Sequence, residues 1–139
     1  EASFAFATVF VSGPGQPTFA AELARVLAAS GGAKVVDTAA GAQAIVEITR
    51  VFDDKQVLSL SPGGRVQEYM LVKVVTFRVR GNDGREWAPP DEISILRTYT
   101  YDDSERLARE IQEQRLLREM QSDAVQQIVR RLQSVRPPA

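Results

Sequence analysis

Near the C-terminus, Leu107, Ile111, Leu117, Met120, Ala124, Ile128, Leu132 and Val135 recur at mostly three- and four-residue steps, with Arg, Glu and Gln between them. That period predicts a helix with one apolar stripe, and the stripe must be buried against something. Asp102 suits its N-cap, and Glu105, three positions on, suits the reciprocal capping role. Arg130, Arg131 and Arg136 suit the negative end of the helix dipole, and Pro137 and Pro138 close the helix.

Upstream the period falls to two. Residues 4–11, rich in Phe and Val and stopped by Gly13-Pro14-Gly15, read as a strand. Pro17 opens a helix with Phe19, Leu23, Val26 and Leu27 on its apolar face, and Gly31 and Gly32 end it. Val35 and Val36 are too short a pair to assign. Residues 44–60 read as one long strand, with Val46, Ile48 and Phe52 on one side, Ile45, Glu47, Thr49 and Val51 on the other, and a bend or bulge at Asp53-Asp54. After the turn Ser61-Pro62-Gly63-Gly64, residues 68–80 form the clearest strand, and a hairpin at residues 81–84 leads to a strand over about 93–101. Pro89 and Pro90 make the start of that strand irregular or confine it to an edge.

The order β-α-β-β-β-α predicts a right-handed parallel crossover followed by two antiparallel hairpins. A helix of about 30 residues and a strand of about 13 both span roughly 45 Å, so the last helix can run the length of the sheet. The expected fold is an α/β two-layer sandwich, a mixed sheet of about four strands with two helices packed on one face. All 139 residues fit a single domain.

Two helices cover only one sheet face. In the clearest strand Tyr69, Leu71, Val75, Phe77 and Val79 point one way and Met70, Val72, Val74 and Thr76 the other, so both faces are apolar. The second set is therefore expected to face a partner, because a large uncovered apolar patch marks an interaction surface. The competing expectation is that the N-terminal segment or the loop over 81–92 folds back across it.

Composition narrows the chemistry. There is no Cys and no His, which removes disulfides, thiolate nucleophiles, sulfur metal sites and imidazole acid-base catalysis, and no metal or cofactor is expected. A net charge of −1 gives no field that would gather nucleic acid or a membrane. No apolar run approaches the roughly 20 residues needed to span a bilayer, so the chain reads as soluble. It starts Glu1-Ala2-Ser3 without an initiator Met, which suits earlier removal of an export signal or lipid anchor. Turn and capping roles account for Asp53-Asp54 and Asp102-Asp103, and a solvated helix face for Glu110, Glu113 and Glu119, so no catalytic residues are assigned. Lys73, Arg78, Arg80, Arg85 and Arg97 stand on otherwise apolar or small-residue strands. Clustered, they could bind an anionic amphiphile through phosphate oxygens; taken singly, they blunt strand edges and solvate hairpin tips.

Four phrases together resemble the LPS-assembly lipoprotein family, LptE: Gln67-Glu68-Tyr69-Met70-Leu71, Gly84-Arg85-Glu86-Trp87-Ala88-Pro89, the run over 97–103, and Leu116-Leu117-Arg118-Glu119-Met120 followed by Ala124, Ile128 and Arg131-Leu132. The resemblance implies a non-enzymatic, lipid-anchored domain at the outer membrane, facing the periplasm. It further implies a plug in the β-barrel LptD that helps assemble that barrel and takes part in delivering lipopolysaccharide. It carries Arg85 and Arg118 over as lipopolysaccharide contacts. The family's anchor Cys is not in this sequence. The alternative is a freestanding envelope lipid or ligand carrier without a barrel partner, which would need an internal apolar cavity, and a carboxylate hydrolase would need two acids converging in a cleft.

Overall fold

The computed structural model describes residues 2–100 and 106–139. Its elements run β1 (Thr8–Ser12), α1 (Pro17–Ser30), β2 (Lys34–Val35), β3 (Ala44–Leu60), β4 (Val66–Gly81), β5 (Glu86–Thr100) and α2 (Arg106–Leu132). They build an α/β sandwich on a five-stranded mixed sheet in the order β2-β1-β3-β4-β5. The fifth strand, beyond the four expected, is β2, whose two residues are too few to show a period. β1 pairs in parallel with β2 and β3, and the two hairpins are antiparallel.

Local chemistry sets the element ends. Pro17 stands in the first turn of α1, where its missing N–H costs nothing, and Gly31 ends the helix in the left-handed region at φ 81°. Gly32 has no room for a side chain, since a Cβ there would lie 2.2 Å from the Ala2 carbonyl oxygen. The β4–β5 turn closes through Gly84, also left-handed, whose N–H donates to the Gly81 carbonyl at 3.0 Å. Asp102 and Glu105, expected to cap α2, lie outside the described residues.

Both helices lie on the same side of the sheet. Leu23 and Leu27 of α1, Met120, Ile128 and Leu132 of α2, and Val46, Ile48, Val75 and Ile93 of the strands form one buried cluster. Each fully buried aliphatic side chain of this kind contributes roughly 1.5–3 kcal/mol. Two ion pairs fix α2 along the edge strand: Arg97 with Asp123 at 2.9 Å, and Arg131 with Asp91 at 2.7 Å.

Three local expectations are corrected. β3 is continuous through Asp53-Asp54, and its register shifts lie instead between Ile48 and Arg50, between Val57 and Ser59 and between Ser59 and Leu60. The first shift adds one residue and exchanges the faces beyond it. Val51 therefore packs on the core, and Phe52, expected beside Val46 and Ile48, stands exposed on the opposite face. β5 begins at Glu86 and not near residue 93; Pro89 and Pro90 lie inside it, on an edge strand with register shifts beside them as their sequence suggested, where outer N–H groups need no ladder partner. The expected stripe of α2 holds from Leu117 onward, but Leu107 and Ile111 are 71 % and 53 % exposed.

Helix length explains that last difference. Leu107 and Val125 are eighteen residues apart, as are Ile111 and Val129, and eighteen residues make five full turns, so each pair shares one face of α2. Val125 and Val129 are 0 % and 6 % exposed. α1 packs against α2 but has only 14 residues, about 21 Å, against 27 in α2, about 40 Å. The first residues of α1 border the same small cleft as Gln121, so α1 starts level with the middle of α2. No described helix lies beside the α2 residues before that point.

Candidate functional site

Strand alternation assigns each β4 side chain to a layer. Tyr69, Leu71, Lys73, Val75, Phe77 and Val79 face the helices, while Met70, Val72, Val74, Thr76, Arg78 and Arg80 face the other way. In register with this second set stand Phe52 and Asp54 of β3 and Ser94 and Leu96 of β5. Phe52, Val74, Val72, Leu96 and Met70 thus form an apolar belt across three strands. Neither competing cover lies over it: residues 86–100 are strand β5, and the N-terminal segment runs beside the end of α1, with Ala2 N–H donating to the Ser30 carbonyl at 3.3 Å.

The belt ends in charge toward β1. Arg50 lies over the Phe52 ring at 4.9 Å, a cation–π contact, and is paired in register with Thr76 and, beyond it, Glu92. Arg78 pairs across strands with Glu47, and Arg80 stands opposite Ile45. The open face is therefore amphipathic along the strands, mostly apolar in one half, with Asp54 opposite Val72, and mostly charged in the other, around Ile45.

The six basic residues singled out in the sequence do not form one cluster, and Arg97 is already paired with Asp123 of α2. Lys73 belongs to the covered face, where it is 4 % exposed and paired with Asp53 at 2.8 Å. Arg78 and Arg80 lie on the open face. Arg85 sits at the β4–β5 hairpin, donates to the Ala139 carbonyl at 3.2 Å and borders a cleft of about 320 Å³ with Trp87 and Pro137. Arg118 is exposed midway along α2, fourteen residues or about 21 Å of helix from Leu132. Arg85 and Arg118 are thus too far apart to grip one phosphate together. Trp87 is half-buried in β5 and tilted against Phe6 at 6.3 Å, a packing role.

One polar site was not anticipated. Glu113 accepts a hydrogen bond from the Tyr99 hydroxyl at 2.5 Å and pairs with Lys55 at 2.6 Å. Lys55 also lies over the Tyr69 ring at 4.3 Å, and Tyr69 packs on Tyr99 at 5.7 Å. Burial would raise the Glu113 carboxyl, but Lys55 and Tyr99 outweigh it and hold the group below the ordinary carboxylate range. Burial works the other way on Lys55 and is likewise outweighed, so its ammonium is held above the usual lysine value by Glu113 and Tyr99. Burial and Glu113 together raise the Tyr99 hydroxyl. The available signal was position: Glu113 stands seven residues before Met120 and four before Leu117, on the core-facing stripe rather than the solvated face. This mutually satisfied trio ties a helix to a sheet. Among the described residues no three or more His, Cys, Asp or Glu side chains are grouped to hold a metal, and no helix is long and apolar enough to cross a membrane.

A model of the LptE lipopolysaccharide-assembly family matches residues 6–132. The chain belongs to that family. Its LptE fold is similar to the solution structure of lipoprotein B from Nitrosomonas europaea, at 36% identity and TM-score 0.88, covering 95% of this chain and 85% of that one. It is also similar to rare lipoprotein B from Shewanella oneidensis, at 28% identity and TM-score 0.77, covering 91% and 94%. The minor lipoprotein of Acinetobacter baumannii shares the fold at 18% identity and TM-score 0.77, covering 98% of each chain. No curated protein matches the chain. LptE membership makes this a lipopolysaccharide-assembly protein of a lipoprotein family.

Proposed function

We propose that this protein is the lipid-anchored, non-enzymatic partner of the outer-membrane barrel LptD, seated in it as a plug, helping to assemble it and contacting lipopolysaccharide on the periplasm-facing side. The observation that carries the reading is the belt of Met70, Val72, Val74, Phe52 and Leu96, an apolar sheet face that no described part of the chain covers. Left in water, such a face favours association. Against a barrel wall it would be covered, with Thr76 at its charged border.

Arg85 and Arg118 are the proposed lipopolysaccharide contacts, acting at separate points, with Arg78 and Arg80 as further cations on the open face. Lys73, buried on the covered face and paired with Asp53, is not among them. A freestanding carrier has less support, because the space between helices and sheet is filled by side chains such as Leu23, Ile48, Val75 and Ile128.

Co-expression with LptD followed by affinity purification of the barrel tests the reading. The chain should co-purify in a stable complex. A folded chain that never accompanies the barrel would refute the plug assignment. In the same preparation Arg85→Ala with Arg118→Ala should weaken lipopolysaccharide binding with little change in melting temperature, since exposed charges contribute little to folding. Unchanged affinity would remove these two contacts and leave the barrel assignment standing.

A further inference from the structure

We propose that the first eleven residues of α2, residues 106–116, are a strap held to the sheet by the Glu113–Tyr99–Lys55 trio, and that it opens as a unit while the rest of α2 stays docked. The inference is independent of the barrel partner.

Three observations support it. Met120 is the first fully buried apolar side chain of α2. Before it, Leu116 and Leu117 are half-buried, Leu107 and Ile111 are exposed, and Arg109 is the one buried side chain among residues 106–116. The strap therefore has little of the apolar burial that makes most helices stable in proteins, with Leu116 at its end packed on the core cluster. Second, α1 starts only level with Gln121, so no described helix holds this part from the side. Third, what does hold it is polar: Glu113 meets the Tyr99 hydroxyl at 2.5 Å and the Lys55 ammonium at 2.6 Å, from two different strands.

The strap roofs a cleft of about 270 Å³ between α2 and the sheet, bordered by Lys55, Tyr69, Tyr99, Arg106 and Glu110. Lifting it would uncover the Tyr69–Tyr99 pair while leaving the cluster around Ile128 and Leu132 intact. Low-stability segments of this kind, with few buried apolar contacts, open below the global unfolding free energy.

Hydrogen–deuterium exchange on the full chain tests the strap. In Glu113→Ala, and in Tyr99→Phe combined with Lys55→Met, amides over 110–116 should exchange roughly ten- to a hundredfold faster, the range expected for losing a hydrogen bond to a charged group. Amides over 124–132 should be unchanged. Equal acceleration along all of α2, or none in either variant, would overturn the proposal. If a variant does not fold, the unmutated chain still decides. Exchange over 110–116 should then be insensitive to low urea and that over 124–132 urea-dependent, whereas a shared dependence would show that the helix opens only as a whole.

Discussion

Lys73 and Arg78 stand five positions apart on one strand, and that odd spacing sends them to opposite faces of the sheet. Lys73 shares its parity with Leu71 and Val75 and is buried with them; Arg78 shares its parity with Val72 and Val74. Parity alone separates a buried lysine from an exposed arginine. The same logic, with helical period, separates Ile111 from Ile128. Ile128 is fully buried between helices and sheet, and Ile128→Ala should cost about 2–5 kcal/mol through lost burial and the cavity left behind. Ile111→Ala should stay within about 0.5 kcal/mol, as substitutions at exposed positions do. Urea denaturation of both variants checks the contrast, and equal losses would mean that the start of α2 is docked as firmly as its end.

At the level of elements, α2 is held along its length by different chemistry: polar contacts near Glu113, apolar burial from Met120 onward, and Arg131 at the far end. Burial would raise Asp91, but its hydrogen bond from Arg131 holds it, like Glu113, below the ordinary carboxylate range. A depressed carboxylate pKa means that the folded state binds fewer protons than the unfolded chain. The resulting stability is present above the unfolded value and lost as pH falls through the folded one. Lys55 and Tyr99, both raised, contribute stability that is present below their unfolded values and lost as pH rises through the folded ones. The urea midpoint should therefore fall between about pH 5 and pH 3, and less steeply in a Glu113→Gln, Asp91→Asn variant. Identical acid limbs in the two proteins would contradict these pairings. Much of this scaffold was legible in the sequence, because Pro17, Gly31, Gly84 and the alternation over 68–80 each have one local physical meaning. The register shift after Ile48 was not, since an added residue in a strand leaves the composition unchanged while turning Phe52 to the other face. Nor was the bare start of α2, because the periodicity of Leu107 and Ile111 says that they share a face with Val125 and Val129 but not where along α2 the shorter α1 lies.

For the whole molecule, the decisive feature is asymmetry between the two sides of one sheet. Helices bury one side, and the other carries the belt of Phe52, Met70, Val72, Val74 and Leu96. The doubly apolar pattern of β4 foretold that belt from sequence, whereas its membership from β3 and β5 required the register of the strands. Charge placed on the belt should spare the fold and impair association: Val72→Glu with Val74→Glu should keep a native circular-dichroism spectrum and lose most barrel co-purification. A variant that unfolds instead would mean that these half-buried positions belong to the core. The most direct test of the account is site-specific photocrosslinking in cells that express the barrel. Crosslinkers at Val72 and Val74 should give covalent adducts with LptD, and the absence of adducts from both positions in a complex that nonetheless forms would contradict the claim that this face meets the barrel.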